Sequence, residues 1–159
     1  MASERAAALA DDLAAANADA IALAHACGDG DWAVVVPGEE WPVGVVLHHV
    51  AEGYAQSLRW IRAMACGEGV PETAEEIDRA NAAHAARALG ATVDETVALL
   101  QSQGVQLEAA LRGLTDEELD RTAPFGPAAG RFFATADLAP VTARHAREHV
   151  AHARAAMAG

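Results

Sequence analysis

Histidines are the residues of this sequence best suited to chemistry. Seven are present, and His145, His149 and His152 fall in the last predicted helix. His145 and His149 are four residues apart, so their rings project from one helix face one turn apart. That separation lets two imidazole nitrogens bind one metal ion at about 2.0–2.1 Å. His152 is expected on the same face, which the apolar stripe from Leu138 to Ala156 predicts to be the core face.

A third ligand has to come from another helix. In the predicted second helix, His49 lies at the edge of the apolar stripe from Val46 to Met64, whereas His48 points roughly opposite. We therefore predict His49 as the third ligand and His48 as a rim or surface residue. Two explanations of the buried rings stay open: a divalent transition-metal ion, or hydrogen bonds within the core. The HxxxH spacing is only moderately specific by itself.

Helices have to position these residues, and the composition favours an all-α fold. Apolar residues make up 52% of the sequence but aromatic residues only 4%, because alanine supplies most of the apolar content. Alanine has the highest helix propensity and lets helices pack closely. We expect one domain, residues 1–159, folded as a four-helix bundle with a short additional helix.

Capping residues and glycines mark the predicted helix ends. Ser3, Thr73, Thr92 and Thr115 are predicted N-caps, and Thr135 or Asp137 is expected to cap the last helix. The long 28–42 connection permits helices that are not consecutive to be neighbours. The four long helical units are predicted at about 4–27, 42–66, 73–113 and 135–157, the third interrupted at Gly90 and restarted at Thr92. One short extra turn follows Thr115, with a loop at 28–42 and an irregular stretch at 121–134.

The charge of the sequence excludes several classes of partner. The formal net charge is −12, which repels phosphate backbones and anionic lipid headgroups. We expect no nucleic-acid or membrane partner and a cytoplasmic location, since no run reaches the roughly 20 apolar residues of a membrane span. Cys27 and Cys66 are expected to be reduced structural thiols.

Two runs of the sequence resemble motifs of the DinB/YfiT-like superfamily. The run Trp41–Glu52 (WPVGVVLHHVAE) is similar to a second-helix motif in which a metal-binding histidine follows a tryptophan by eight residues, here His49. The run His145–His152 (HAREHVAH) is similar to the last-helix motif, whose HxxxH supplies two more ligands, and weaker similarities lie at 77–82 and 114–121. The resemblance implies a four-helix bundle, often a homodimer, that holds Zn or Ni in a three-histidine site with open coordination positions.

A site of that kind can serve more than one activity. The ion is a Lewis acid that lowers the pKa of a bound water or holds a thiolate as a nucleophile. Several members of the resembling family use a low-molecular-weight thiol (mycothiol, bacillithiol or glutathione). The alanine-, arginine- and aspartate-rich composition is typical of a high-GC bacterial genome, and such a source favours mycothiol as the thiol. We therefore expect a metal-dependent thiol S-transferase acting on a small-molecule substrate. A metal-dependent hydrolase and a non-catalytic metal-binding module are the alternatives.

Other residues are candidates for supporting roles. His152 is a candidate general base, or else a hydrogen-bonded core histidine. Glu52 and Glu148 are candidate acceptors for the ring N–H groups of the ligands. Four polar residues could line a pocket but are expected to be ordinary surface residues: Tyr54, Gln56, Asn81 and Arg144. The aromatic residues are expected to pack in the core or in a dimer interface: Trp32, Trp41, Trp60, Phe132 and Phe133.

Overall fold

Four long helices form the bundle in the computed structural model, which describes residues 3–159. Short helices and two small hairpins connect them. The elements are α1 (Glu4–Ala26), α2 (Asp29–Trp32), β1 (Val35–Val36), β2 (Trp41–Pro42), α3 (Val43–Cys66), α4 (Ala74–Ala88), α5 (Val93–Arg112), α6 (Asp116–Asp120), β3 (Thr122–Phe125), a 3-10 turn (Gly126–Ala128), β4 (Arg131–Ala134) and α7 (Thr135–Ala158). The predicted all-α bundle is confirmed, and α6 is its predicted short helix.

The long helices are not neighbours in chain order. α1 packs along α5 and α7, and α3 packs along the same two helices, so α1 and α3 lie on one diagonal of the bundle. α4 lies outside the bundle against α3. The extended connection between α1 and α3 makes this order possible. Among the described helices, none has the length and hydrophobicity that a bilayer crossing requires.

Side-chain caps fix the predicted helix starts. The Ser3 hydroxyl accepts hydrogen bonds from the backbone N–H groups of Arg5 and Ala6. Thr73, Thr92 and Thr115 form capping boxes with the glutamates three residues further on, as predicted. Each cap satisfies N–H groups that would otherwise lack partners, which stabilises a helix by about 1 kcal/mol.

The start of α7 differs from the prediction. Its N-cap position is Ala134, not Thr135 or Asp137. The Thr135 hydroxyl donates to the backbone carbonyl of Arg121 at 3.2 Å and is therefore engaged elsewhere. The Asp137 carboxylate accepts the Ala134 N–H at 2.8 Å, so it serves the helix end from within the first turn.

Two segments predicted to be a loop and an irregular stretch contain hairpins. β1 pairs with β2 inside 28–42, and β3 pairs with β4 inside 121–134, both antiparallel. The second hairpin is joined to the chain after α3, because Val70 donates to the Pro124 carbonyl at 2.9 Å and accepts from Gly126 at 2.7 Å. Glycine and proline in these segments indicate turns, but the strands are too short to leave a period-two pattern.

Small residues let the elements approach closely at two places. A Cβ on Gly104 of α5 would lie 2.2 Å from Nδ2 of Asn17, the α1 side chain that donates to the Leu100 carbonyl. A Cβ on Gly44 of α3 would lie 2.3 Å from Nε1 of Trp32, which donates to the Ala91 carbonyl at 2.8 Å. Trp32 therefore holds the connection before the first hairpin against α3. Cys27 and Cys66 are free thiols.

Candidate metal centre

Three histidine rings meet between α3 and α7. Nε2 of His145 lies 3.3 Å from Nε2 of His49 and 2.9 Å from Nε2 of His149. His49 is buried, and the other two rings are partly buried. Two nitrogens that bind one ion at tetrahedral or octahedral angles are about 2.8–3.4 Å apart. The separations therefore match those of ligands to a single ion, although the assignment of these residues as ligands stays a prediction.

The orientation of the rings fits an ion as well. The ring centres of His49 and His145 are 5.1 Å apart, and those of His145 and His149 are 4.3 Å apart. Both separations are shorter than they would be if the two ring centres and the two nitrogens lay on one straight line. The rings consequently meet at an angle, and their Nε2 lone pairs do not point at each other along the line that joins the nitrogens. An end-on hydrogen bond would instead place the nitrogens on the line between the ring centres.

Proton counting separates the two explanations that the sequence left open. His149 Nδ1 lies 2.8 Å from an oxygen of the Glu39 carboxylate, an acceptor, so a neutral His149 carries its proton on Nδ1. If all three rings are neutral, the Nε2 of His149 is an acceptor and needs a proton from His145 Nε2. That same proton would also have to serve the contact with His49 Nε2, so it would be shared between two acceptors. A divalent ion satisfies all three lone pairs. The donor set therefore fits a transition metal better than a hydrogen-bonded core cluster.

Burial keeps the two innermost rings in the form that binds metals. The pKa of His49 is lowered to about 3, first by burial and then by the neighbouring rings of His145 and His149. The pKa of His145 is lowered to about 4 by burial and by His149. Both rings are therefore neutral at physiological pH and present a lone pair without loss of a proton.

Glu39 is the supporting residue that sequence reasoning missed. It lies in the turn between β1 and β2, and its carboxylate contacts Nδ1 of both His149 and His152 at 2.8 Å. The predicted acceptors have other surroundings: Glu148 is exposed beside Arg144, and Glu52 lies near a different histidine pair. No regular sequence pattern indicates that a residue in a hairpin turn contacts a helix far away in the chain. The one available signal was the pair of acidic residues, Glu39 and Glu40, in the predicted loop.

The predicted inward position of His152 is wrong. Its side chain is 59% exposed and contacts Glu39 at the rim of the site. α7 turns far enough between His149 and His152 to bring the latter to the solvent side, and Val141 on the predicted core stripe is likewise exposed. His152 stays a candidate general base, and it contacts the same Glu39 carboxylate as His149 does.

A second histidine pair lies beside the first site but is built differently. Nδ1 of His48 and Nε2 of His84 are 2.7 Å apart, with ring centres 5.0 Å apart, near Glu52. Here the separation of the ring centres is the one expected when both centres and both nitrogens lie on one straight line, so the contact is an end-on hydrogen bond. These two rings and Glu52 also lie close enough together to hold an ion, but a hydrogen bond between the rings accounts for their contact. His48 is half-buried at the rim, close to its predicted position.

A cavity of about 330 Å³ opens from the three-histidine cluster. His49 and His145 line its inner end, and Trp41 contacts the His49 ring edge-on from outside the cavity. Gln56 and Asn81, which were expected to be ordinary surface residues, line the cavity instead. Tyr54 is buried in the core, and Arg144 is exposed away from the cavity. The aromatic and aliphatic wall consists of Trp60, Ile77, Phe125, Pro127 and Val141.

The fold and the site together define a class: a four-helix bundle with a candidate divalent-metal site of three histidines on two of its helices. The family comparison agrees, because the model of the DinB superfamily matches residues 12–153. The chain belongs to the DinB superfamily.

A solved structure supports the same fold. The chain is similar to YfiT from Bacillus subtilis, described as "a probable metal-dependent hydrolase with an unusual four-helix bundle topology". The two chains are 19% identical with a TM-score of 0.80, and the match covers 98% of this chain and 87% of YfiT. Comparison with curated protein sequences found no match.

Proposed function

We propose that this protein is a metal-dependent enzyme that transfers a low-molecular-weight thiol, with mycothiol as the favoured thiol, to or from a small molecule. The observation that supports this proposal is the close approach of three histidine Nε2 atoms beside a cavity that His49 and His145 line. A Zn or Ni ion held by His49, His145 and His149 would supply a Lewis acid that keeps a bound thiol or water deprotonated near neutral pH.

The residues of the chain supply the rest of the site. Glu39 fixes the His149 ring so that Nε2 faces the other two rings. The apolar wall around Trp60 and Phe125 excludes bulk water from one side of the reacting groups and holds the body of the substrate. His152 shares the Glu39 carboxylate at the rim, where it can accept a proton released on binding or reaction.

Thiol consumption tests the transferase directly. Protein loaded with Zn or Ni is mixed with mycothiol, bacillithiol or glutathione and a panel of electrophilic small molecules, and loss of free thiol is followed. We expect metal-dependent consumption that the triple variant His49→Ala, His145→Ala, His149→Ala abolishes. His25→Ala, a change at an exposed α1 residue, is the control and should retain the rate. Metal-loaded protein that consumes none of the thiols would contradict transfer.

A metal-dependent hydrolase is the second candidate, and the description of YfiT favours it. The same three histidines and cavity would serve, with water in place of the thiol. Ester or amide cleavage without added thiol, rising with pH through about 7, would distinguish this activity from transfer. If the triple variant loses thermal stability while metal-loaded parent protein shows neither activity, the site is a structural metal-binding module.

A further inference from the structure

The cavity beside the three-histidine cluster has an uneven distribution of charge. Its wall is formed by Trp60, Ile77, Phe125 and Val141. Among the described residues that line it, apart from the histidines, Asp78 is the one with an ionisable side chain. Lysine and arginine do not occur in that lining. An anionic group that lay against this wall, away from the proposed ion at the histidines, would therefore lose water with a carboxylate nearby and no lysine or arginine in the lining to compensate it.

We propose that the substrate body bound in this cavity is compact and apolar and is uncharged or positively charged, with Asp78 selecting against anions. This inference rests on the proposed function, because the reactive group of that substrate would be held at the ion bound by His49, His145 and His149. The net charge of −12 acts in the same direction at long range. Asp78 is exposed to solvent, which screens its charge, but it lines the cavity and adds a local contribution that a single substitution removes.

Two arginines near the cavity do not belong to its lining. Arg59 and Arg87 line a separate, smaller cleft of about 120 Å³ together with Glu52. This cleft shares His49, Gln56 and Asn81 with the larger cavity. Arg59 donates to the backbone carbonyl of Ala55. A small ligand confined to the larger cavity is therefore expected to meet Asp78 and the apolar wall before it meets either guanidinium group.

Para-substituted benzohydroxamates test the charge preference, because each carries the same metal-binding head. The 4-carboxy, 4-carbamoyl and 4-amidino derivatives are nearly equal in shape and differ in charge. Affinities for the Zn-loaded protein are measured by titration calorimetry in about 0.15 M salt, where the Debye length is about 8 Å. We expect the carboxylate to bind about tenfold more weakly than the amidinium derivative.

Variants separate the local charge from the field of the whole protein. Asp78→Asn should reduce the tenfold ratio to about threefold or less, whereas Asp19→Asn, at an exposed α1 position, should leave it unchanged. Unsubstituted benzohydroxamate should bind at least about tenfold more tightly than acetohydroxamate, because its ring covers the apolar wall. Both variants are checked for unchanged Zn content.

The outcomes distinguish this inference from the proposed function. Equal affinity for all three charged and uncharged derivatives, or tighter binding of the carboxylate, would overturn the inference while leaving an open metal site intact. An unchanged ratio in Asp78→Asn would also overturn it. If no hydroxamate binds to Zn-loaded protein, the site has no open coordination position, and both the inference and the proposed enzyme fail.

Discussion

Glu39 links the hairpin turn to the site through a single carboxylate. Its two oxygens contact Nδ1 of His149 and Nδ1 of His152, and its side chain is 13% exposed. A carboxylate that accepts the distal ring N–H of a metal-binding histidine fixes the tautomer and raises the basicity of the other nitrogen. Glu39 thus acts on His149 without touching the proposed ion.

Replacing Glu39 should weaken metal binding without removing a ligand. Glu39→Gln keeps one acceptor oxygen and gains a donor, so one of the two histidine contacts is lost. We expect Zn affinity to fall about 10- to 100-fold, measured by competition with a chromophoric chelator. Glu40→Gln, at the neighbouring exposed residue, is the matched control. Equal affinities of the parent and Glu39→Gln would show that the carboxylate does not orient His149.

The buried rings predict how the metal-free protein responds to acid. His49 and His145 have folded-state pKa values of about 3 and about 4, below the value of about 6.5 in an unfolded chain. The unfolded state therefore binds more protons between these values. The free energy of unfolding should fall as pH falls from about 6.5 towards 4, by at most about 1.4 kcal/mol per pH unit for each ring.

Urea unfolding of chelator-treated protein at several pH values measures this slope. His49→Gln should reduce the slope, because the substitution removes one group that must stay neutral in the folded state. His25→Gln, at an exposed position, should leave the slope unchanged. A slope that is the same in all three proteins would mean that His49 is not held neutral by burial.

At the scale of elements, Trp32 connects α2 to α3 and so sets where the first hairpin starts. Gly44→Ala would place a methyl group 2.3 Å from Nε1 of Trp32 and force the ring off the Ala91 carbonyl. We expect a loss of about 1–3 kcal/mol in the free energy of unfolding, measured by urea denaturation. Gly90→Ala meets no atom within 4 Å and is the control. Equal stability of Gly44→Ala and the parent would show that the ring moves freely.

The sequence predicted the helices better than the segments between them. Periodicity and capping boxes located the long helices and α6, since both signals are local. Helical phase then brought His49, His145 and His149 to one place, because each lies on a straight, regular element. The same reasoning failed for His152, three residues beyond His149, where a modest rotation moves a ring from the core to the rim.

The two hairpins contribute what the sequence did not reveal. The turn between β1 and β2 supplies Glu39, and β3 with the following 3-10 turn supplies Phe125 and Pro127 to the cavity wall. Their positions depend on contacts far away in sequence, such as the pairing of Val70 with Pro124 and Gly126. Contacts of that kind leave no periodic trace in the segments themselves.

At the scale of the whole molecule, metal binding and folding should be coupled. Helices α3 and α7 pack on each other, and the three histidines lie across that contact. An ion that binds the folded state alone stabilises it by about 2.7 kcal/mol at a free concentration one hundred times the dissociation constant.

Thermal unfolding with and without a chelator measures this coupling. The parent protein should lose several degrees in Tm when the ion is removed and regain them on addition of Zn or Ni. The triple histidine variant should show no response to either treatment. A parent whose Tm is unaffected by chelator and by added metal would show that no ion joins the two helices.

Homodimer formation stays a prediction, which sedimentation velocity can measure in the same samples.

Metal content tests the central claim most directly. Inductively coupled plasma mass spectrometry is applied to purified parent protein and to the His49→Ala, His145→Ala, His149→Ala variant, each after incubation with Zn or Ni and removal of free ion. We predict about one equivalent of metal per chain in the parent and none in the variant. A parent that takes up neither ion would contradict the claim and leave the three rings as core residues held by a shared proton.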